Sequence, residues 1–258
     1  MDWRIPAFVA AALTCTGAQA SAPPCAGEVE IGDAPVVRVE HNDVLILRDG
    51  RALHLEGVRL PHAARDRAPQ AVEDQTYDAL NALAKNQDVM AHAVWPKQDR
   101  YDRVRAQVFT KNGTWLQTEL LRRGLARVEI APDRGECYRE LYDAEGVARA
   151  ARLGLWSLPA YAIRTPETLK ADVGTFQIVF GKVLSADKRD GRVFLNFGPD
   201  WKTDFTVTIS PDDMKTFRRM GVDPLDYQDK LIRVRGIVQW FNGPEIEIGN
   251  PKQIELLQ

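Results

Sequence analysis

The residues of this chain that could do chemistry begin with its histidines. Three of the four histidines, His41, His54 and His62, lie close together in the sequence. Imidazole nitrogens bind zinc and other borderline metals, and an imidazole can accept a proton near neutral pH. The three are not spaced like the ligands of a known zinc motif, so two interpretations stay open: a metal or acid–base site, or polar positions without a chemical role.

Tyr101 and Arg103 form a second candidate site. A guanidinium group presents a planar fork of donors that fits a phosphate group, and a neighbouring tyrosine could contact the same ligand. The alternative is structural, with the arginine anchoring a loop next to a packed tyrosine.

Residues 1–20 have the pattern of a secretory signal peptide. Arg4 precedes an apolar run over residues 5–13, and Ala18-Gln19-Ala20 matches an A-x-A cleavage site. The apolar run is too short to span a bilayer, and no later stretch approaches the length needed. A lipid anchor at Cys15 stays open as an alternative. We therefore expect an exported protein, periplasmic or secreted.

Export would leave Cys25 and Cys137 in an oxidising compartment. An even number of cysteines in such a compartment favours a disulfide. It would close a loop of about 110 residues, for which the chain-entropy model gives at most roughly 4–5 kcal/mol of stabilisation. Two unpaired thiols are the alternative, because spacing alone does not establish pairing.

Composition places these residues in an ordinary globular chain. Its 258 residues are 45% hydrophobic and 27% charged, which is enough apolar content for one large or two small cores. Disordered and fibrous architectures are therefore excluded. The formal net charge is −2, so the whole molecule exerts no general attraction on nucleic acid or acidic lipid.

The first half of the mature chain has a mixed α and β pattern. Strands are predicted at residues 36–39, 44–48, 51–59, 89–94 and 103–109, and helices at 71–85, 114–123 and 138–153. Gly124 is expected to end the second helix. Both faces of the early strands are apolar, as in a barrel wall. Asp49-Gly50 predicts a tight hairpin, and a two-residue loop would place Leu45 opposite His54.

The second half is dominated by strands. Residues 159–170 read as a linker, followed by strands at 176–184, 192–197, 204–209, 231–239 and 245–248, with a short helix ending near Met220. This order predicts an OB-type barrel. Several aromatic residues could stack on single-stranded nucleic acid: Phe194, Phe197, Trp201, Phe205, Trp240 and Phe241. Against that, residues 161–258 hold fourteen basic and fourteen acidic side chains, which gives no basic groove.

A set of short motifs in the first half is similar to a known family. The motifs include Asp99-Arg100-Tyr101-Asp102-Arg103, Gly124-Leu125-Ala126 and Gly154-Leu155-Trp156. From about Val36 to Trp156 the chain resembles the staphylococcal nuclease-like (thermonuclease) family. The resemblance implies a five-stranded OB-type barrel with three helices. It also implies, for active members, calcium-dependent cleavage of DNA and RNA.

The chain departs from the family at most of the positions that carry this chemistry. Through the resemblance, Asn42 falls where a metal-binding aspartate is expected, and Arg59 where the second such aspartate is expected. His54 falls at the first catalytic arginine and His62 at the glutamate base. The second catalytic arginine persists as Arg103, together with Tyr101. We therefore expect neither calcium binding nor nuclease activity of the family kind.

The sequence thus predicts a mainly β protein with α-helices (α+β), built as two small OB-type barrels. The predicted parts are a signal peptide (1–20), an N-terminal extension (21–35), a nuclease-like domain (36–158), a linker (159–170) and an OB-like domain (171–258). The first functional hypothesis is an exported, catalytically degenerate protein that binds nucleic acid or another exported protein and needs no cofactor. The second is a phosphodiesterase that works through Arg103, His54 and His62 with calcium or zinc. Any metal would then be held by residues drawn from His41, Asn42 and Asp43.

Overall fold

The computed structural model describes residues 22–40, 43–200 and 203–257. The predicted signal peptide, including Cys15, lies outside the described residues, and so do His41, Asn42 and Trp201. Within the described ranges, no helix is long and apolar enough to cross a membrane.

The first half folds into a closed barrel with helices packed on it. Its elements are β1 (Glu28–Glu40), β2 (Val44–Leu47), β3 (Ala52–Leu55), β4 (Val58–Arg59), α1 (Ala63–Asp66), α2 (Gln70–Ala84), β5 (Asp88–Ala93), β6 (Val104–Thr110), α3 (Leu116–Arg122), β7 (Arg127–Val128) and α4 (Tyr138–Ala150). The barrel order is β1-β2-β3-β6-β5. β3 and β6 run parallel, and the other barrel neighbours are antiparallel. The predicted α+β class with an OB-type barrel is confirmed.

The first strand begins earlier than the sequence predicts. β1 starts at Glu28, and its first part pairs with β5, so much of the predicted N-terminal extension belongs to the barrel. Ile31 and Ala34 are buried there. The pairing register shifts between Val29 and Ile31 and again before Ala34. These irregularities break the alternation of apolar and polar residues by which a strand is recognised.

The β2–β3 hairpin has a longer loop than a two-residue turn. The N–H of Leu47 donates to the carbonyl of Arg51 at 2.9 Å, which leaves three residues in the loop, and Gly50 adopts a φ of +88°. Asp49 accepts the N–H of Arg51 at 3.0 Å and stabilises this wider turn. The predicted pairing of Leu45 with His54 is therefore wrong by one residue. Val44 lies opposite His54.

Three helices cover the barrel at the predicted places, and α3 and α4 are each three residues shorter than predicted. α2, α3 and α4 contribute Leu80, Leu120 and Leu141 to the same core, and all three side chains are fully buried. Gly124 ends α3 as predicted, with a φ of +67°. A Cβ at this position would lie 2.2 Å from the carbonyl oxygen of Leu153, so glycine is required where α3 approaches the end of α4.

The second half contains two smaller sheets. Its elements are β8 (Phe176–Lys182), β9 (Ser185–Arg189), β10 (Arg192–Asn196), β11 (Thr206–Ile209), α5 (Met214–Arg219), β12 (Leu231–Ile237), β13 (Gln239–Trp240), β14 (Pro244–Glu247) and β15 (Ile254–Leu257). The sheet orders are β13-β14-β11-β10-β9 and β15-β12-β8. β11 and β14 are parallel, as β3 and β6 are in the first barrel. β8 continues into β9, and β12 into β13. This order supports the OB-type interpretation, which stays a prediction for this half.

The aromatic residues predicted as stacking platforms have different environments. Phe197 and Phe205 lie in the second core, with ring centroids 4.9 Å apart. Phe194 is half-buried on β10. Trp240 and Phe241 are exposed near the β13–β14 turn. Among the described members of this set, Phe194, Trp240 and Phe241 could offer a ring face to a ligand.

The segment predicted as a linker is packed. It contains short 3-10 helices at Pro159–Tyr161 and Pro166–Asp172. Tyr161 is 2% exposed, and Leu169 is fully buried in the second core. Arg67 also donates two hydrogen bonds to this region, to the carbonyls of Ala171 and Val173. The segment is therefore anchored to the rest of the chain through the buried side chains of Tyr161 and Leu169.

Buried arginines join the two halves. Arg235 on β12 is fully buried and lies 3.0 Å from Glu145 on α4, which is also fully buried. Its guanidinium donates to the carbonyl of Val128 at 2.9 Å and lies 4.3 Å from the ring centroid of Tyr142. These contacts cross from the second half to the first, so the halves share one buried polar interface.

Arg127 is a second buried arginine at this interface. It is close in the sequence to Arg122 and Arg123, and clustered basic residues are usually exposed to solvent. Arg127 is instead 2% exposed, and it donates to the carbonyl of Phe176 at 2.8 Å. It also lies 3.2 Å from Asp66. Arg122 and Arg123 are exposed on α3, and so they do not form a cluster with it.

The predicted disulfide between Cys25 and Cys137 is confirmed. It joins the residues just before β1 to the start of α4. The two cysteines are separated by 112 positions in the sequence. The bond therefore ties the N-terminal segment to the start of α4.

Candidate functional site

A cleft of about 370 Å³ lies where the first barrel meets the second half of the chain. The first barrel contributes His54 of β3, with Asp99 from the β5–β6 loop and Glu129 after β7. The second half contributes Phe176 of β8 and Glu247 of β14. Of the predicted site residues that the structure describes, His54 lines this cleft.

Arg103 is held by a carboxylate of its own loop. Its Nε and Nη2 atoms lie 2.7 and 2.6 Å from Oδ2 of Asp99. The other oxygen of Asp99 accepts the backbone N–H groups of Tyr101 and Arg103. Burial raises the pKa of Asp99, but these hydrogen bonds outweigh it and leave the pKa below its ordinary value. The guanidinium of Arg103 is thus already paired with a carboxylate of the chain.

Arg59 is paired in a similar way. Its Nη1 atom lies 3.2 Å from Oε1 of Glu129, and its guanidinium carbon lies 5.2 Å from the ring centroid of Phe176. The charges of Arg59 and Glu129 both act on the carboxyl group of Asp43. Burial and the neighbouring Glu129 raise the pKa of Asp43 to about 7, while Arg59 and Arg103 oppose the shift. Acidic and basic groups therefore compensate one another at this edge of the barrel.

The sequence did not single out Arg105, which forms the most extensive ion network of the cleft. Arg105 donates to both oxygens of Glu56, at 2.8 and 3.1 Å, and to both oxygens of Asp133, at 2.6 and 3.0 Å. Arg105 is 9% exposed and Glu56 is 5% exposed. The sequence signal that could have revealed Arg105 is its position between Val104 and Ala106, because alternation along a strand places it on the face opposite these core residues.

His54 is largely buried, and its Nδ1 atom is buried without a hydrogen-bond partner. Burial lowers the pKa of His54 to about 4, and the nearby charge of Arg103 adds to this effect. The imidazole is therefore neutral at physiological pH. Arg103 is bonded to Asp99, which lines the cleft together with His54, and the charge of Arg103 acts on the pKa values of both His54 and Asp43.

His62 lies apart from this group. It precedes α1, and its Nδ1 atom is 3.8 Å from a carboxylate oxygen of Glu73 on α2. Its backbone N–H donates to Asp66 at 3.2 Å. His62 does not belong to the described residues that line the cleft. The predicted trio of Arg103, His54 and His62 thus has two members in proximity and one elsewhere.

Tyr101 is 62% exposed, so it is not the packed tyrosine of the structural alternative. The guanidinium carbons of Arg100 and Arg103 each lie 5.0 Å from its ring centroid. These cation–π contacts hold the ring at the surface of the β5–β6 loop.

The described residues contain one group of three potential metal ligands close together: Cys25, Cys137 and Glu140. Its two sulfur atoms are bonded to each other in the disulfide, so they are not free to bind a metal. Of the predicted metal ligands, Asp43 is described and lies between β1 and β2, whereas His41 and Asn42 lie outside the described residues.

These features define a class of protein. A closed five-stranded barrel with one parallel strand pair, covered by three helices, is a small OB-type domain of the nuclease-like kind. Residues 52–158 match the family model described as staphylococcal nuclease homologue, so this part of the chain is similar to that family. The match begins at β3, although β1 and β2 complete the same barrel. No match was found among the curated proteins.

The shifted pKa values at this site predict opposite effects of pH on stability. The folded protein binds fewer protons at His54 than the unfolded chain between about pH 4 and 6.5, so this contribution to stability falls as the pH is lowered through that range. At Asp43 the folded protein binds more protons between about pH 3.8 and 7, so its contribution falls as the pH rises.

We therefore expect substitutions of His54 and Asp43 to change the pH dependence of the free energy of unfolding in opposite directions. As the pH rises from 4.5 to 6.5, the free energy of unfolding of His54→Gln should fall relative to that of the wild type by about 1–2 kcal/mol. Over the same range, the free energy of unfolding of Asp43→Asn should rise relative to that of the wild type by about 1–2 kcal/mol. Urea denaturation at several pH values in this range measures the slopes. Parallel profiles for the three proteins would contradict the assignment.

Proposed function

We propose that the nuclease-like domain of this chain no longer cleaves phosphodiesters and that the protein acts as an exported binding protein. The observation that carries the proposal is the pairing of the guanidinium groups around the cleft. Arg59, Arg103 and Arg105 each contact a carboxylate of the chain itself. An arginine that neutralises an internal carboxylate has little remaining charge with which to stabilise a phosphate in a transition state.

The metal chemistry of the family does not fit these residues. Calcium is bound by several oxygen ligands, most of them carboxylates. Here Arg59 stands where the family has a metal-binding aspartate, and it is bonded to the nearby Glu129. Two like unit charges about 4 Å apart repel by roughly 4 kcal/mol at an effective dielectric constant near 20. A cation held by Asp43 and Glu129 would meet this repulsion.

Export is supported by two independent features. The predicted signal peptide precedes the mature chain, and the Cys25–Cys137 disulfide is of a kind that persists in oxidising compartments. A periplasmic or secreted location follows if the leader is cleaved. Mass spectrometry of the N-terminus after expression with the native leader would test this step.

The proposal is tested by nuclease assays on the purified mature protein. We expect no cleavage of plasmid or single-stranded DNA above the chelator control with calcium, zinc or manganese, because loss of a guanidinium contact and of the carboxylate base would each lower the rate by about 10²–10⁴. Arg103→Ala is the informative variant. Arg100→Ala is its matched control, because Arg100 is exposed on the same loop.

Metal-dependent cleavage that Arg103→Ala abolishes and Arg100→Ala preserves would contradict the proposal. Such a result would favour the second candidate, a phosphodiesterase with a remodelled site. That candidate draws on Tyr101 and Arg103 and on His54, whose Nδ1 has no hydrogen-bond partner. A neutral imidazole in this position could accept a proton from water.

The class of partner is decided by a binding assay. If the inactive protein is retained on immobilised single-stranded DNA, and the retention falls steeply with salt, the partner is a nucleic acid. If the protein passes through at low salt, the partner is another exported protein. The equal numbers of acidic and basic residues in the second half favour the latter outcome.

A further inference from the structure

A second pocket, of about 190 Å³, lies on the outer face of the sheet β13-β14-β11-β10-β9. Among the described residues, none lines both this pocket and the cleft of the nuclease-like domain. Its volume is below the roughly 300–1,000 Å³ of pockets that take drug-sized ligands. A ligand that fits it must therefore be small.

The strand register builds the floor of this pocket. Asp187 on β9 pairs with Phe194 on β10, so a carboxylate and an aromatic ring stand side by side on one face. On the next row of the same face, Asn196 pairs with Thr206, and Thr206 pairs with Glu245 on β14. The floor thus combines one ring with two carboxylates and neutral polar groups.

Phe241 supplies a second ring at the rim. It is 70% exposed and begins the tight turn between β13 and β14. Asn242 and Gly243 both have positive φ angles, of 52° and 118°. A Cβ at Gly243 would lie 2.8 Å from the carbonyl oxygens of Thr203 and Asp204, so glycine is required here. The turn is fixed by this close packing, and an apolar ring is held in solvent beside the pocket.

Hydrogen bonds hold the two carboxylates in place. Asp187 accepts from the hydroxyl of Ser185 at 3.0 Å and from the amide of Asn196 at 3.3 Å. Glu245 accepts from the hydroxyl of Thr208 at 2.8 Å. These donors are neutral, so the carboxylates are oriented without being neutralised.

The described side chains that line the pocket carry two negative charges, on Asp187 and Glu245, and one positive charge, on Arg189. Among the described residues, neither Asp187 nor Glu245 has a basic side chain within ion-pair distance. Arg192, which lies nearby, is bonded to Glu247 at 3.1 Å. Arg189 lines the pocket from the exposed end of β9. Burial, with a contribution from Glu247, raises the pKa of Glu245, as expected for a carboxylate that lacks a cationic partner.

We infer that this pocket binds a small organic ammonium cation. Aromatic faces attract such cations through the ring quadrupole, and carboxylates complete the recognition by direct charge interaction. The rings of Phe194 and Phe241 and the carboxylates of Asp187 and Glu245 supply both components. A phosphate or nucleotide would be repelled by the same carboxylates. The cation could be free in solution or part of a lipid headgroup.

The inference is tested by titrating the full mature protein with choline and, in parallel, with its uncharged isostere 3,3-dimethylbutan-1-ol. Binding is monitored by the changes in the NMR chemical shifts of the pocket residues. We expect saturable binding of choline and none of the isostere. Phe241→Leu and Glu245→Gln should each weaken choline binding, by roughly 2–30-fold for the ring. Trp240→Leu is the matched control. Trp240 is an exposed aromatic residue next to Phe241, but it does not line the pocket.

Three results would overturn the inference: no saturable shift with choline at tens of millimolar, equal binding of the uncharged isostere, or equal weakening by Trp240→Leu and Phe241→Leu. Co-sedimentation with phosphatidylcholine vesicles separates the two sources of the ligand. Sedimentation that Phe241→Leu abolishes assigns the site to a lipid headgroup. Binding of free choline without sedimentation assigns it to a soluble cation.

Discussion

Replacing Arg235 by alanine is expected to lower the free energy of unfolding by about 3–5 kcal/mol. The side chains of Arg235 and Glu145 are both fully buried and lie 3.0 Å apart. Removing the arginine would leave the carboxylate of Glu145 buried with only Arg149, 3.2 Å away and partly exposed, as a charged partner. It would also open the packing against the ring of Tyr142. Denaturation with urea, followed by tryptophan fluorescence, measures the change.

A matched control is Arg192→Ala. Arg192 also pairs with a glutamate across strands, Glu247, but both side chains are 36% exposed. Exposed ion pairs contribute about 0–1 kcal/mol, so this variant should stay close to the wild type. The double variant Arg235→Met/Glu145→Gln should recover part of the loss, because no uncompensated buried charge remains. A loss below about 1 kcal/mol for Arg235→Ala would show that the interface does not hold the two halves together.

Removing the disulfide is expected to have an effect of similar size. The Cys25→Ala/Cys137→Ala variant should lose about 2–5 kcal/mol, because the bond closes a long loop and restricts the unfolded chain. The bonded residues are 112 positions apart, so the restricted loop spans most of the first domain. The measurement is the denaturation midpoint with and without reductant.

The reduced wild type provides the control for this prediction. Reductant should bring the wild type to the stability of the alanine variant and leave the variant itself unchanged. Equal stability of the oxidised wild type and the variant would contradict a stabilising role for the bond.

The barrel of the first half could be predicted from local patterns. Alternating and continuous apolar runs marked β2, β3, β5 and β6, and apolar residues at helical spacing marked the three main helices. Gly124 marked the end of α3 because its backbone must adopt a positive φ. The first part of β1 could not be predicted in this way, because register shifts interrupt its alternation. The hairpin loop was also missed, since Asp-Gly occurs in three-residue loops as well as in two-residue turns.

The candidate site was predictable only in part. The motif around Tyr101 and Arg103 located one edge of it, and the comparison with the family located His54 and Arg59. The carboxylate partners of the arginines could not be predicted, except for the neighbouring Asp99. Glu129 pairs with Arg59 across 70 positions, and Glu56 pairs with Arg105 across 49. Pairs so distant in the chain leave no periodic signal in the sequence.

By itself, the sequence indicated a likeness of the first half to the nuclease-like family, its barrel and helices and, as hypotheses, the pairing of Cys25 with Cys137 and the loss of the family's residues for metal binding and catalysis. The tertiary structure alone decided that the remaining arginines are bonded to carboxylates, that Arg127 and Arg235 are buried between the halves, and that the second half carries a separate acidic and aromatic pocket. The reason is physical. Strand and helix patterns arise from neighbours within a few positions, whereas the charge state and burial of a side chain depend on which distant residues fold against it.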